Sequence, residues 1–252
     1  EAYKYALERI QFEKPIIEFP AVYEMLRNME VKNKAMRSLL YETARYVDVY
    51  KAYSLVSEKR KLETEERQEM KKYQRLADIF TPLLKLISSE YCNSITYDAL
   101  QIHGGAGFMK DFPVERLYRD ARITSIYEGT SQLQVVAAIR GVTTRGFLNR
   151  IKEFDEMKVK PELEYIKKML QKMTDEYEEI SEAVIEKDDN EFMDFHARRL
   201  VEMAGNIIMS YLLLYDTTRK EDYMHDLEVF TKIAESENRQ KADYIKNSDI
   251  KD

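Results

Sequence analysis

Between Val22 and Tyr50, apolar side chains return at three- and four-residue intervals: Val22, Met25, Leu26, Met29, Met36, Leu39, Leu40, Thr43, Val47 and Tyr50. That period places them on one face of a long helix and rules out an alternating strand. The pattern predicts a helix to about Val56. The almost wholly charged run SEKRKLETEERQEMKK then marks an exposed corner between two helices. Periodicity resumes with Leu76, Phe80, Leu83, Leu84, Ile87, Tyr91, Ile95 and Ala99, and Pro82 inside it predicts a kink or a fresh start. Residues 1–12 also read as helical, closed off by Pro15 and Pro20.

From Gln101 to Thr130 the text changes to a mixture of glycine, proline, polar and aromatic residues, and five of the seven glycines lie between Gly104 and Gly141. Backbone freedom is concentrated there, which makes the stretch the candidate site. SQLQVVAAIRGV resumes as a helix, LNRIKEFDEMKVKP reads as a linker ending at Pro161, and three helices follow near 162–187, 190–215 and 221–247. Short turns between helices make neighbours antiparallel. The expected architecture is therefore all-α: an up-and-down helical bundle over residues 1–150 plus a helical tail over 151–252, laid against it as a small bundle or sheath.

Charge divides along the same line. Residues 151–252 hold 16 Lys and Arg against 26 Asp and Glu, and residues 1–150 hold 24 against 20. An acidic tail argues against nucleic acid or an anionic membrane as its partner, because phosphate contacts need clustered cations. No apolar run approaches membrane-spanning length. One cysteine, Cys92, allows no disulfide within the chain, which favours a cytoplasmic or other intracellular location, the mitochondrial matrix included. His103, His196 and His225 show no metal-ligand spacing, so no metal is expected. The chain opens on Glu1 with no leader pattern, and a piece of a longer protein is the expectation.

Three constellations can carry chemistry. In IYEGTSQLQ, Glu128 and Gly129 stand at the mouth of a helix whose first-turn amides favour anions, so a carboxylate lies beside unused N–H groups. That arrangement suits proton abstraction next to a polarised carbonyl, although residue types and spacing alone favour an ordinary cap by Thr130 or Ser131 with Glu128 merely exposed. QIHGGAGF ends a helix with three glycines and suits phosphate or ribose, or a plain C-cap. It follows a helix and lacks GxGxxG spacing, which argues against a dinucleotide site of the strand–turn–helix type. ERIQF places Arg9 and Gln11 beside Phe12.

Taken together, AYKYALERIQFEKPI and DALQIHGGAGFMKDFPVERLYRDARITSIYEGTSQLQ resemble, in order and separation, the two signature regions of the C-terminal helical domain of acyl-CoA dehydrogenases. The resemblance covers residues 1 to about 148; the tail resembles loosely the helical extensions of larger members. It implies FAD as cofactor and an acyl-CoA thioester as substrate. Glu128 matches the base that takes the α-proton while the flavin accepts a hydride from the β-carbon, giving a trans-2-enoyl-CoA. Tyr127 and Gly129 match the thioester's borders, and Thr130 and Gln132 match contacts to FAD in the same subunit. Arg9, Gln11, Phe12, Gln101, Gly104 and Gly105 match positions that reach the FAD of a neighbouring subunit.

The resemblance therefore implies a homo-oligomer, dimer or tetramer, and an electron-transfer flavoprotein as acceptor. The N-terminal helical and middle β-domains of the family have no counterpart here, so the segment alone is expected to fold without holding FAD firmly or turning over substrate. Glu13 stands where many members carry glycine, and Pro20 where a polar residue often helps hold FAD. An acyl-CoA oxidase shares the Glu128 chemistry, and a non-catalytic helical assembly module shares the fold; the intact YEGTSQ string argues for catalysis.

Overall fold

Pro20 occupies the first turn of a forty-residue helix, a position where its missing N–H has no partner to lose. In the computed structural model, which describes residues 1–249, this helix (α2, Pro20–Lys59) runs beside a second of equal length (α3, Thr64–His103). Their corner is short. The Glu66 carboxylate accepts the Glu63 amide at 2.9 Å and both Arg60 guanidinium nitrogens at 2.6 and 2.7 Å, while Leu62 is buried beneath. Before α2 lie α1 (Ala2–Glu8), strands β1 (Ile10–Gln11) and β2 (Lys14–Pro15), and a 3-10 turn, Ile16–Glu18. After α3 come α4 (Gly105–Phe108), α5 (Pro113–Ala121), α6 (Ser131–Thr143), α7 (Gly146–Asp155), α8 (Glu164–Glu186), α9 (Asn190–Arg219) and α10 (Met224–Asn247). The fold is an all-α bundle.

Three local expectations are corrected. The first twelve residues are not one helix: α1 ends at Glu8, and Ile10 pairs with Pro15 and Gln11 with Lys14 in an antiparallel hairpin. Its two turn residues, Phe12 and Glu13, have φ of 48° and 68°, the left-handed pair that closes a two-residue hairpin. Pro82 neither restarts nor ends α3, which passes through it unbroken. Pro82 is itself buried, and Phe80, Leu83 and Leu86 beside it have no exposed surface, so core packing outweighs the one lost hydrogen bond. The stretch read as a linker to Pro161 is largely helical, since Phe147, Leu148, Ile151 and Phe154 of α7 all enter the core.

The main hydrophobic cluster runs from Val31 to Ile245 and draws on both sides of residue 150. Its centre is α9, which is buried without interruption from Met203 to Leu214 and touches α2, α6, α8 and α10. At Gly205 an added Cβ would lie 2.5 Å from Ile87 Cδ1, so the glycine sets how closely α9 approaches α3. Polar ties join the same elements. Arg150 Nε donates to the fully buried Tyr46 hydroxyl at 2.6 Å and Arg150 Nη2 to Glu42 at 2.9 Å, linking α7 to α2. Asp226, buried in the first turn of α10, receives Arg27 at 2.7 Å and Lys34 at 2.8 Å from α2. A smaller cluster of Ala2, Ala6, Ile16, Leu26, Ala99, Ile102 and Val114 anchors the N-terminal segment to the end of α3. Among the described residues no helix is long and apolar enough to cross a membrane, and no three His, Cys, Asp or Glu side chains are grouped to hold a metal.

Candidate functional site

The stretch that precedes α6 is built as an arch over α3. A 3-10 turn, Arg122–Ser125, leads from α5, and the Tyr127 amide bonds to Ile123 O at 3.0 Å. Glu128 and Gly129 then reverse the chain with φ of 53° and 89°. For Gly129 this geometry is free, and an added Cβ would lie 2.7 Å from Gln134 Nε2. For Glu128 it is not: a non-glycine residue in the left-handed region costs about 1–2 kcal/mol and needs surrounding support. Support comes from two side chains. Gln134 Nε2 donates to Glu128 O at 3.1 Å, and Lys85 Nζ donates to Thr124 O at 2.7 Å and Gly129 O at 3.0 Å.

The arch leads directly into α6. Thr130 is its N-cap and accepts the Leu133 amide at 3.4 Å, while the Ser131 hydroxyl, buried, donates to Glu90 at 2.5 Å. Glu90 in turn faces Arg198 of α9 at 3.1 Å. The first-turn amides of Ser131 and Gln132 have no helical carbonyl to bond, which leaves a positive helix end beside Glu128. Around it Ile123, Ile126, Tyr127, Leu133 and Val136 are each 45–66% exposed. A carboxylate at a polar helix end, ringed by open apolar side chains, can meet a ligand that is part acyl chain and part carbonyl.

The second set of expected residues assembles elsewhere. Arg9 and Gln11 of the hairpin segment, Gln101 at the end of α3, and Gly104 and Gly105 line one cavity of about 510 Å³. Its floor is held by Tyr5, which stacks on the buried His103 at 4.3 Å, and His103 Nδ1 bonds to Ala99 O at 2.7 Å. Gly104 has φ 58°, and an added Cβ at either glycine would meet nothing within 4 Å. Phe12 lies outside this lining; its ring is 87% exposed and touches Phe19 edge-on. Glu128 and its neighbours do not line the cavity, so the expected residues form two separate groups on the chain. Sequence reasoning missed Lys85, Ser89, Glu90 and Gln134. The signal was a polar interruption, KLISSE, in the otherwise apolar stripe of α3.

Two family models divide the chain at residue 143: one described as "Acyl-CoA dehydrogenase, C-terminal domain" matches residues 1–143, and one described as "Acyl-CoA dehydrogenase C terminal" matches 143–252. The chain belongs to the acyl-CoA dehydrogenase family. Among similar proteins, a 3-(aryl)acrylate reductase of Clostridium sporogenes is 40% identical over 134 residues, 53% of this chain and 29% of the relative. The caffeyl-CoA reductase-Etf complex subunit CarC of Acetobacterium woodii matches at the same identity and coverage. The chain thus spans about three tenths of the length of these relatives. A solved acyl-CoA dehydrogenase complexed with FAD, from Bacillus anthracis, superposes with a TM-score of 0.69 at 25% identity, over 97% of this chain and 45% of that one. The likeness extends through the acidic tail, beyond the region whose motifs carried the resemblance.

Proposed function

We propose that this chain is the C-terminal part of an FAD-dependent acyl-CoA oxidoreductase in which Glu128 moves the substrate's α-proton. Residues 1–150 form the part that faces cofactor and substrate, and 151–252 the extension that completes its core. The observation that carries the reading is the state of Glu128: its backbone is fixed in a costly conformation by Gln134 and Lys85, yet its side chain is exposed at the α6 N-terminus. A residue held against its own preference and left open has a use for that position.

The groove of Arg9, Gln11, Gln101, Gly104 and Gly105 fits the phosphate and ribose portion of FAD: one cation, two amides and two glycines whose missing Cβ atoms leave the approach open. Phe12, outside the lining, would bear on the cofactor from its exposed turn, and Thr130 and Gln132 would contact a second FAD at the α6 end. Bound FAD supplies the hydride acceptor. The two groups are separate on one chain, which supports a homo-oligomer in which each cofactor touches two subunits. The acyl-CoA thioester lies between Tyr127 and Gly129, where the Glu128 backbone N–H polarises its carbonyl and so acidifies the α-carbon; each such donor contributes ~2.7–4 kcal/mol to rate. The exposed apolar ring about Glu128 is covered by the rest of the protein.

Both relatives described above carry the word reductase in their names, and one the Etf complex. That favours a second reading in which the same residues run towards saturation, Glu128 returning a proton to the α-carbon, with an electron-transfer flavoprotein as redox partner. Both readings share one test. In the whole enzyme, Glu128→Gln keeps the shape and removes the proton acceptor, so turnover of acyl-CoA and of 2-enoyl-CoA falls ~10²–10⁴-fold with FAD content unchanged. Wild-type turnover in the variant would assign the base elsewhere.

A further inference from the structure

The carbonyl oxygens that Lys85 holds are those of Thr124 and Gly129, four residues before Glu128 and one after it. The ammonium thus closes the arch across both of its feet. Three features make this more than an incidental contact. Lys85 projects from the middle of α3, whose neighbouring Leu83, Leu86 and Ile87 are buried, so its origin does not move. No carboxylate bonds to it among the described residues; its partners are two backbone oxygens and the Tyr127 ring, 5.5 Å from Nζ. The charge of this half-buried cation is spent on carbonyl dipoles of one loop. Ser89, one turn further along α3, donates to the same Thr124 oxygen at 2.9 Å, while Gly129 O has only Lys85 and a longer bond from Gln134 at 3.4 Å.

We infer that Lys85 is a positioning residue for proton transfer: by stapling Thr124 and Gly129 to α3 it holds Glu128 in its left-handed conformation and sets where the carboxylate points. The inference rests on Glu128 being the base. Without the ammonium, Thr124 keeps Ser89 and the Ile126 and Tyr127 amides keep Ile123 O, but Glu128 and Gly129 retain only Gln134 as a side-chain brace and relax towards the ordinary right-handed or extended backbone. A shift of about 1 Å in a reacting group costs on the order of 10²-fold in rate, with little effect on binding that is spread over the rest of the ligand.

The test uses the whole enzyme with FAD, comparing Lys85→Met, which keeps the stem and removes the donors, with Lys85→Arg, which keeps a cation. Rates are expressed per bound flavin. For Lys85→Met the expectation is a fall in kcat of ~10–10²-fold, KM for acyl-CoA within about threefold, and a larger isotope effect with substrate deuterated at the α-carbon. Lys85→Arg recovers part of kcat, because a guanidinium can still bond a carbonyl. A merely structural lysine would lower melting temperature and leave kcat per flavin and the isotope effect as they were. Wild-type kcat in Lys85→Met, or a rise in KM alone, overturns the inference; if that variant does not fold, wild-type kcat in Lys85→Arg overturns it and a reduced kcat with unchanged KM supports it. Glu128→Gln run in parallel separates the two claims. Full activity there removes the base assignment, whereas loss there with full activity in Lys85→Met removes only the role of Lys85.

Discussion

Two stretches of this chain both carry large apolar side chains and leave them in opposite situations. Met203–Leu214 of α9 is buried on every side, and the 122–130 arch carries Ile123, Ile126 and Tyr127 half in the open. Their polar groups differ in the same sense. Within Met203–Leu214, Asn206 Nδ2 donates to Asn238 and Glu237 at 3.0 Å, and Ser210 donates to Asn206 O at 2.8 Å, so these two buried polar side chains are answered from within the bundle. In the arch the carbonyls are answered by two long side chains, while the Glu128 carboxylate faces outward. Large apolar side chains therefore occur in core and site alike. What separates them is whether rigid elements close over the apolar surface or only brace the backbone beneath it.

The comparison breaks most readily at two leucines. Leu213 of α9 has no exposed surface and Leu133 of α6 is 59% exposed, so the same truncation acts on a sealed and an open site. Leu213→Ala is expected to lower unfolding free energy by ~2–5 kcal/mol, and Leu133→Ala by no more than ~0.5 kcal/mol, read from urea midpoints at equal slope. Equal losses would mean that the α6 face is covered within this chain.

A smaller effect comes from His196, also on α9. It is fully buried between Phe192 and Phe195, with Tyr244 beyond, and neither ring nitrogen has a hydrogen-bond partner. Burial first, then the charges of Arg199 and Lys187, push its pKa down to about 4. The unfolded chain therefore binds this proton more readily than the fold does. Stability from the neutral ring is complete above the ordinary value of about 6.5, falls as pH drops from there towards 4, and changes no further below it. His196→Phe keeps a ring and cannot take a proton, so its advantage over wild type should grow by roughly 2 kcal/mol between pH 7.5 and pH 5. Parallel curves for the two proteins across that window would show that the imidazole reaches water.

Most of this architecture was legible because amphipathic stripes announce themselves. The buried face of α2 follows its three- and four-residue spacing, with Leu26, Leu39 and Thr43 inside, although Leu40, read on the same face, is 47% exposed. The helix ends failed where stripe and local chemistry disagreed. The charges of LNRIKEFDEMK hid the apolar face of α7, and Pro82 was overruled by the core around it. At the site, the residue types drew notice through Gly129 and Glu128 themselves. The braces did not, since Lys85 lies 43 positions away from Glu128 on another helix and nothing local in a lysine says that it will find two carbonyls. Arg9 and Gln101 illustrate the same limit, because only the hairpin and the end of α3 together bring them to one cavity.

The mildest expected change lies in the hairpin that carries Arg9 and Gln11. Glu13 holds φ at 68° with an exposed side chain, and unlike Glu128 it has no side-chain brace across its backbone among the described residues. A non-glycine residue there costs about 1–2 kcal/mol, and glycine would recover part of that while losing more freedom from the unfolded chain, so Glu13→Gly should stabilise the turn by ~0.5 kcal/mol net. The hairpin is a local unit closed by the Ile16 amide on Arg9 O at 2.9 Å, so the gain belongs to local opening and leaves global unfolding nearly unchanged. Amide hydrogen exchange reads it directly: the Ile16 N–H should exchange about twofold more slowly in Glu13→Gly, with no change at buried α9 amides such as Leu213. Faster exchange at Ile16 would mean that the left-handed turn is not strained as it stands. It would also mean that Glu128, in the same backbone region, needs its braces for aim more than for relief of strain.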